Sequence, residues 1–190
     1  MLSSGGNEMK STIYFAITLL ATAFIQFSLF GTAEAARVAV LPIQIDNDKV
    51  ARASDFTSYY WDIVIEKLQY PDYELLDEEN VDSAVSGEGM KSLDMASLQN
   101  VCNKTNAEIV IAMRLDEVLK KPDRNNREPK MKYYMKGEFA GYNGLTGQYY
   151  NKKINCSGRL EMALTYRNDW QKNTFTSTLK RCLGQLMKKR

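Results

Sequence analysis

Alternating apolar and polar residues predict the strands of this chain. Arg37 to Ile45 is a nearly continuous β-branched run, typical of a strand covered on both faces, and Pro42 within it indicates a bulge or pairing on one side only. Glu108 to Leu115 gives the clearest alternation. Two further runs, from Met131 to Phe139 and from Gln148 towards Tyr166, are separated by Asn-Gly and Thr-Gly turn residues. They predict an antiparallel ladder with one solvated face.

Apolar residues that recur at spacings of three and four predict the helices. A short strand from Tyr73 to Asp77 separates the first helix from the second, and Asp169 is suited to cap the last one. Polar residues from Lys120 to Lys130, with two prolines among them, predict a surface loop. The predicted helices run from Ala53 to Leu68, from Asn80 to Val85, from Ser92 or Asp94 to about Thr105, and from Trp170 to Met187.

The order of these elements is strand, helix, strand, helix, helix, strand, hairpin and helix. It predicts an α/β (α+β) fold in which a single mixed sheet of about five strands packs with three to four helices. Residues 36–190 are enough for one domain that buries its own core without a metal or disulfide, so we expect a single domain over this range.

The first 35 residues have the features of a secretory signal. Lys10 precedes an uncharged apolar tract from Thr12 to Phe30, and the small residues of Ala33-Glu34-Ala35 then provide a cleavage site. We therefore expect residues 1–35 to be removed and the protein to be exported to the periplasm or surface of a bacterium, with no transmembrane segment after cleavage. The alternative is an uncleaved N-terminal helix that tethers the chain, since the tract approaches the ~20 residues that span a bilayer.

Composition restricts the chemistry that the chain can perform. The sequence contains no histidine, which excludes Ser-His-Asp and Cys-His catalysis and removes the commonest zinc ligand. We expect no catalytic residues, no metal and no cofactor, and hence a protein that is not an enzyme. Cys156 and Cys182 are able to form a disulfide only if the last helix packs on the strand of Cys156, whereas Cys102 has the position of a buried helix residue.

Charge is distributed unevenly along the chain. Residues 36–118 contain 7 Lys and Arg against 16 Asp and Glu, whereas residues 119–190 contain 17 against 5. The two blocks either face each other within one domain, lie solvated, or leave a basic surface for an anionic partner. Lys152, Lys153 and Arg159 are the candidate residues for binding an anion or a partner.

Asp46 and Asp48 form a second candidate site. They follow the first strand, where α/β sheets often bind ligands, and carboxylate oxygens are suited to a cation. An ordinary turn explains the same residues. Nucleic acid is not an expected partner, because the alternation around Lys132 buries Tyr133 and export separates the chain from nucleic acid.

Four short strings carry a resemblance to a known family. They are RVAVLPI from Arg37, YELLDEENV from Tyr73, NAEIVI from Asn106 and YNGLTGQ from Tyr142. In this order they resemble the envelope α/β domain shared by the curli secretion channel CsgG and the amino-terminal domain of TolB. The sequence departs from these proteins by lacking a lipid-anchoring cysteine at the predicted cleavage site, membrane-spanning strand insertions and a β-propeller. The resemblance therefore implies a periplasmic or surface binding module rather than a particular chemistry.

These observations predict a non-catalytic exported envelope protein that acts as a protein-interaction or assembly module. Its expected partner is another envelope protein or a second copy of the chain, and the strand from Gln148 to Ile154 is the expected edge for strand addition. The alternative is that the basic C-terminal half binds anionic small molecules, glycans or lipid head groups at an anionic envelope surface.

Overall fold

The computed structural model describes residues 34–85, 90, 92–123, 130–161 and 169–188. The predicted signal segment 1–35 lies outside these residues except for its last two, so its cleavage and the domain boundary stay predictions. The described residues from Ala35 onward belong to one compact unit. Within them, no helix is long and apolar enough to cross a membrane.

The described residues form six strands and four helices in one open mixed sheet with helices on it, which confirms the predicted fold class. In chain order the elements are β1 (Ala36–Val40), β2 (Gln44–Ile45), α1 (Ala53–Lys67), β3 (Tyr73–Leu75), α2 (Glu78–Val85), α3 (Met95–Thr105), β4 (Ile109–Asp123), β5 (Lys130–Asn143), β6 (Gln148–Glu161) and α4 (Trp170–Leu186).

The sheet has a parallel part and an antiparallel part. Its strand order is β3-β1-β4-β5-β6, with β2 also paired to β4. Strand β1 runs parallel to both β3 and β4, whereas β4, β5 and β6 form an antiparallel meander. The meander strands have 14 or 15 residues each, far more than β1, β2 and β3, and extend well beyond the parallel part.

Pro42 interrupts the first predicted strand. Val40 pairs with Ile111, whereas Gln44 pairs with Arg114, so the register between the two chains slips by one residue across Pro42. Because proline has no N–H to donate to a ladder, the run from Arg37 to Ile45 becomes two short strands with a bulged connection, as the sequence indicated.

The prediction of a loop from Lys120 to Lys130 is wrong at both ends of that range. Strand β4 continues to Asp123 and β5 begins at Lys130, and residues 124–129 lie outside the described part of the chain. Pro122 is tolerated in β4 because this stretch pairs with β5 on one side, while the last described pairing on its other side is the bridge between Val50 and Val118.

Two apolar cores lie on opposite faces of the sheet. On one face, α1 and α4 pack through side chains such as Phe56 and Phe175, which are at most 2 % exposed and have ring centroids 5.3 Å apart. On the other face, α2 and α3 bury Val81 and Leu98 against small sheet residues such as Ala140. The second core covers only one end of the long meander strands.

Side-chain caps fix where the two later helices begin. The Asp94 carboxylate accepts a hydrogen bond from the Ser97 N–H at 2.8 Å, and the Asp169 carboxylate accepts one from the Lys172 N–H at 3.1 Å. Both satisfy an amide that has no partner within the helix. Asn106 ends α3 in a left-handed conformation (φ 55°), which asparagine adopts more readily than most residues.

Candidate functional site

The far end of the meander has one face that the described helices do not cover. Tyr149 of β6 belongs to the core under α2 and α3, but the residues that follow on the same side of the strand, Asn151, Lys153 and Asn155, are exposed. Arg114 of β4 pairs with Glu138 of β5 in register with Lys153. We call this side of β4–β6, from the Arg114–Glu138–Lys153 row outward, the open face.

Ion pairs on the open face form within β4 and between β4 and β5. Arg114 donates to Glu138 at 3.0 Å and to Asp116 at 2.9 Å. Lys136 of β5 pairs with Glu117 of β4 at 2.6 Å, and this lysine, the largest cause, lowers the pKa of the Glu117 carboxyl. Of these pairs, only Lys136–Glu117 joins a cation of the basic half to an anion of the acidic half, so most of the charge asymmetry in the sequence is not neutralised on this face.

Asp123 at the end of β4 is the most buried carboxylate of this region. Its side chain is only 1 % exposed and accepts from Lys132 at 3.1 Å and Arg159 at 3.2 Å. The two cations line a cleft of about 410 Å³ together with Tyr134 and Ser157. Because the carboxylate already holds both cations, an anion entering this cleft has to compete with Asp123 for them.

The structure does not bring Lys152, Lys153 and Arg159 together. Consecutive residues of a strand point to opposite faces, so Lys152 lies on the α4 side of β6 and Lys153 on the open face. Arg159 shares the open face but is six residues, or roughly 20 Å, further along the strand. Lys153 instead lines a cleft of about 370 Å³ with Arg114 and Lys136. A binding role for these residues stays a prediction.

Strand β6 is one edge of the sheet. It pairs with β5 over its whole length, from Gln148 opposite Asn143 to Glu161 opposite Lys130, and no described strand lies on its other side. Along that side, half of its backbone N–H and C=O groups face away from β5. The predicted edge from Gln148 to Ile154 is therefore the first half of a longer open edge.

Lys152 and Lys153 lie near the middle of this edge, as the fifth and sixth of its 14 residues, and both are exposed. Within the described part of the chain, neither forms an ion pair. They are flanked by the neutral residues Asn151 and Ile154, and β6 contains no carboxylate from Gln148 to Leu160. Two positive charges without an ion-pair partner among the described residues thus lie on this edge, one directed to each face, and Glu138, which lies opposite Lys153, is already held by Arg114.

Helix α4 packs against one face of β6 and contacts it near both ends of the strand. At one end the indole of Trp170 occupies the space in which a side chain at Gly158 would lie, and it packs on Tyr133 with ring centroids 5.4 Å apart. At the other end the Gln148 side-chain amide donates to the Gln185 carbonyl at 3.3 Å. The face of β6 toward α4 is therefore fixed at both ends, while its edge stays open.

Asp46 and Asp48 are placed in a turn. The Asp46 carboxylate accepts from the Asp48 N–H at 3.2 Å and pairs with Lys49 at 2.7 Å. The hydrogen bond from Lys49, the largest cause, lowers the pKa of Asp46. Across the described residues there is no group of three or more Asp, Glu, Cys or His side chains that could hold a metal ion. These contacts favour the turn explanation, and ligand binding at Asp46 and Asp48 stays a prediction.

A cleft at the end of β1 has the volume for a small ligand but little polar chemistry. It measures about 260 Å³, and its lining consists mainly of apolar residues such as Leu41, Ile43 and Val85, with Gln44 and Asp82 as its polar members. Specific ligand sites usually combine apolar walls with several polar groups that converge on the ligand. The described lining residues supply no such convergence.

The three cysteines are free, and the two buried ones are poorly suited to act as nucleophiles. Cys102, Cys156 and Cys182 form no disulfide, so the pairing of Cys156 with Cys182 that the sequence allowed is not present in this structure. Burial raises the pKa of the Cys102 thiol to about 11 and raises that of Cys182, which lies beside the Tyr150 hydroxyl. A thiol that stays protonated at neutral pH is neither a nucleophile nor a metal ligand.

Comparisons with known proteins show a likeness to solved structures. No family model matches the chain, and no curated protein matches it. The hypothetical protein CT253 from Chlamydia trachomatis is 13% identical over 80% of this chain and 93% of its own, with a TM-score of 0.43.

Two further solved structures are similar in the same way. Lipoprotein GNA1162 from Neisseria meningitidis is 12% identical over 79% of this chain and 99% of its own, with a TM-score of 0.43. The LpoB C-terminal domain from Salmonella enterica is 10% identical over 70% of this chain and 87% of its own, with a TM-score of 0.35. These values carry no conclusion about function, and the specific resemblance to CsgG and TolB stays a prediction.

Proposed function

We propose that this chain is a non-catalytic exported envelope protein of a bacterium that acts as a protein-interaction or assembly module, with the edge of β6 as its docking surface. The observation that carries the proposal is the open edge of β6, which is 14 residues long and is paired only with β5 among the described strands. An extended segment of a partner adds to such an edge through main-chain hydrogen bonds, while its side chains supply specificity.

The polar groups of the described residues support binding rather than catalysis. The sequence has no histidine, and the buried thiols of Cys102 and Cys182 have raised pKa values. The carboxylates of Glu117 and Glu138 on the open face are held by lysine and arginine instead of converging in a cleft. A catalytic pair would need neighbouring groups whose environments drive their pKa values apart.

Site-specific photo-crosslinking in the producing cells tests the proposal. A photoreactive amino acid replaces Asn155, which is exposed on β6, and the matched control replaces Ser58, which is exposed on α1. We expect a discrete higher-mass adduct from residue 155 and none from residue 58. Adducts from residue 58 alone, or a chain that recovers no partner from envelope fractions and stays monomeric at all concentrations, would contradict the proposal.

A second candidate function is binding of anionic glycans or lipid head groups. The observation that favours it is the exposure of Lys152 and Lys153 without ion-pair partners in the described residues. Co-sedimentation with phosphatidylglycerol vesicles tests it: binding that is abolished by moderate salt and by Lys152→Gln with Lys153→Gln supports this function. Equal sedimentation with neutral phosphatidylcholine vesicles contradicts it.

A further inference from the structure

The two lysines near the middle of β6 restrict what can add to this edge. Lys152 and Lys153 are consecutive, so one projects to the α4 side and the other to the open face. The side chains of an added strand would lie directly opposite them on the same two faces. Opposite charges at such cross-strand positions stabilise the pairing, whereas like charges destabilise it.

Resting on the proposed function, we propose that the occupant of the β6 edge is an extended acidic segment of another protein, with two consecutive carboxylates opposite Lys152 and Lys153. The consecutive arrangement follows from the pleat, because only neighbouring residues of the added strand reach both faces at the same level. Strand β6 contains no carboxylate from Gln148 to Leu160, and Glu138, which lies opposite Lys153, is already held by Arg114, so neither lysine has an ion pair that a carboxylate of the partner would have to displace.

Charge argues against a second copy of this chain as the occupant. Two β6 strands that pair antiparallel about Lys152 or Lys153 would bring lysines of the two copies against each other, and like charges at close cross-strand positions repel. Lysines on an open edge also hinder unspecific edge-to-edge association. The same two residues therefore disfavour self-pairing and favour an acidic strand.

Peptide binding to the purified chain tests the inference. The probe is a nine-residue fluorescent peptide, capped at both termini and rich in valine and threonine, with Asp-Glu at its centre. Its control has Asn-Gln at the centre. By fluorescence anisotropy at low salt we expect the acidic peptide to bind roughly fivefold more tightly, the effect of two solvent-exposed cross-strand charge pairs. The preference should shrink at high salt.

Charge reversal identifies the residues responsible. Lys152→Glu with Lys153→Glu should abolish the preference for Asp-Glu and create one for the same peptide with Lys-Lys at its centre. The matched control is Lys120→Glu with Lys121→Glu, which changes the charge by the same amount at two consecutive residues of β4. We expect the control to keep the preference. A preference that survives reversal at β6, or that disappears in the β4 control, overturns the inference.

Two further peptides separate failure of this inference from failure of the proposed function. N-methyl groups on every second residue remove the N–H donors along one edge of a peptide and leave those along the other edge. Of two such peptides, methylated on the odd or on the even residues, one should lose binding if the peptide adds as a strand. If only one of the two methylated peptides loses binding, but the peptides with Asp-Glu and Asn-Gln at the centre bind equally, then strand addition at the edge stands and the acidic partner is refuted. If neither methylated peptide loses binding, strand addition at β6 is refuted as well.

Discussion

Gly137 lies in β5 opposite Leu115, directly beside the irregularity in the pairing of β4 with β5. A methyl group on Gly137 would overlap the carbonyl oxygen of Arg114 and would lie 3.3 Å from both the Arg114 carbonyl carbon and the Leu115 Cα. All three atoms belong to the backbone of β4. No side-chain rotation can relieve the overlap, so Gly137→Ala has to move the two strands apart.

The expected loss follows from what this movement breaks. Forcing an extra methyl group into a packed site typically costs about 1–3 kcal/mol. Separating β4 from β5 next to Gly137 also weakens one ladder hydrogen bond, which contributes about 1 kcal/mol. We therefore expect Gly137→Ala to lower the free energy of unfolding by about 2–4 kcal/mol, a large part of the roughly 5–15 kcal/mol of a typical domain.

Urea unfolding followed by far-ultraviolet circular dichroism measures this loss. The matched control is Gly184→Ala in α4, where an added Cβ meets nothing within 4 Å. Because alanine favours a helix over glycine, the control should gain up to about 1 kcal/mol. A loss below about 0.5 kcal/mol for Gly137→Ala, together with the expected gain for Gly184→Ala, would refute the steric argument from the β4 backbone.

Three further predictions concern the core, a helix cap and the thiols. Phe175→Ala removes a fully buried ring between α4 and α1 and should lower the free energy of unfolding by about 3–5 kcal/mol in the same assay; a loss below about 1 kcal/mol would contradict the described packing. The Ser97 N–H, the largest cause, lowers the pKa of Asp94 from its ordinary 3.8, so the stability that this carboxylate contributes is present above pH 3.8 and is lost as the pH falls below it. The difference in urea midpoint between the wild type and Asp94→Ala should therefore narrow from pH 7 to pH 2, and a constant difference would argue against the charged cap. Finally, mass spectrometry after brief alkylation at pH 8 should find half-buried Cys156 modified before buried Cys102, and equal modification of the two only after unfolding in urea.

The helices and the first parts of the strands were predictable because each has a periodic apolar pattern of its own. The continuation of β4 through Lys120, Lys121 and Pro122 was not, because these residues have the local preferences of a loop. They are extended because β5 pairs with them residue by residue. Proline is tolerated here because β5 is the only described strand paired with this stretch, so the missing N–H interrupts no second described ladder. Such pairing depends on residues of another strand that lie nine or more positions away, and it leaves no local signal in the sequence.

The site was predictable in part. The position of β6 at an edge of the sheet was a correct prediction from the sequence, whereas the binding role of its basic residues stays a prediction. The separation of Lys152 from Lys153 onto opposite faces follows from strand periodicity and was available from the sequence as well. The contacts of Arg159 and Lys132 with Asp123 were not, because they depend on the register of three strands and on the end of β4 that local preferences had assigned to a loop.

The packing of α4 against β6 affects the free energy with which a partner strand binds. Trp170 and Gln185 immobilise the strand during folding, before any partner arrives. An incoming segment then loses its own conformational entropy but meets a template that is already ordered, and such preorganisation strengthens association without adding a single contact. Loosening α4 should accordingly weaken capture by β6 even where the residues along the edge are untouched.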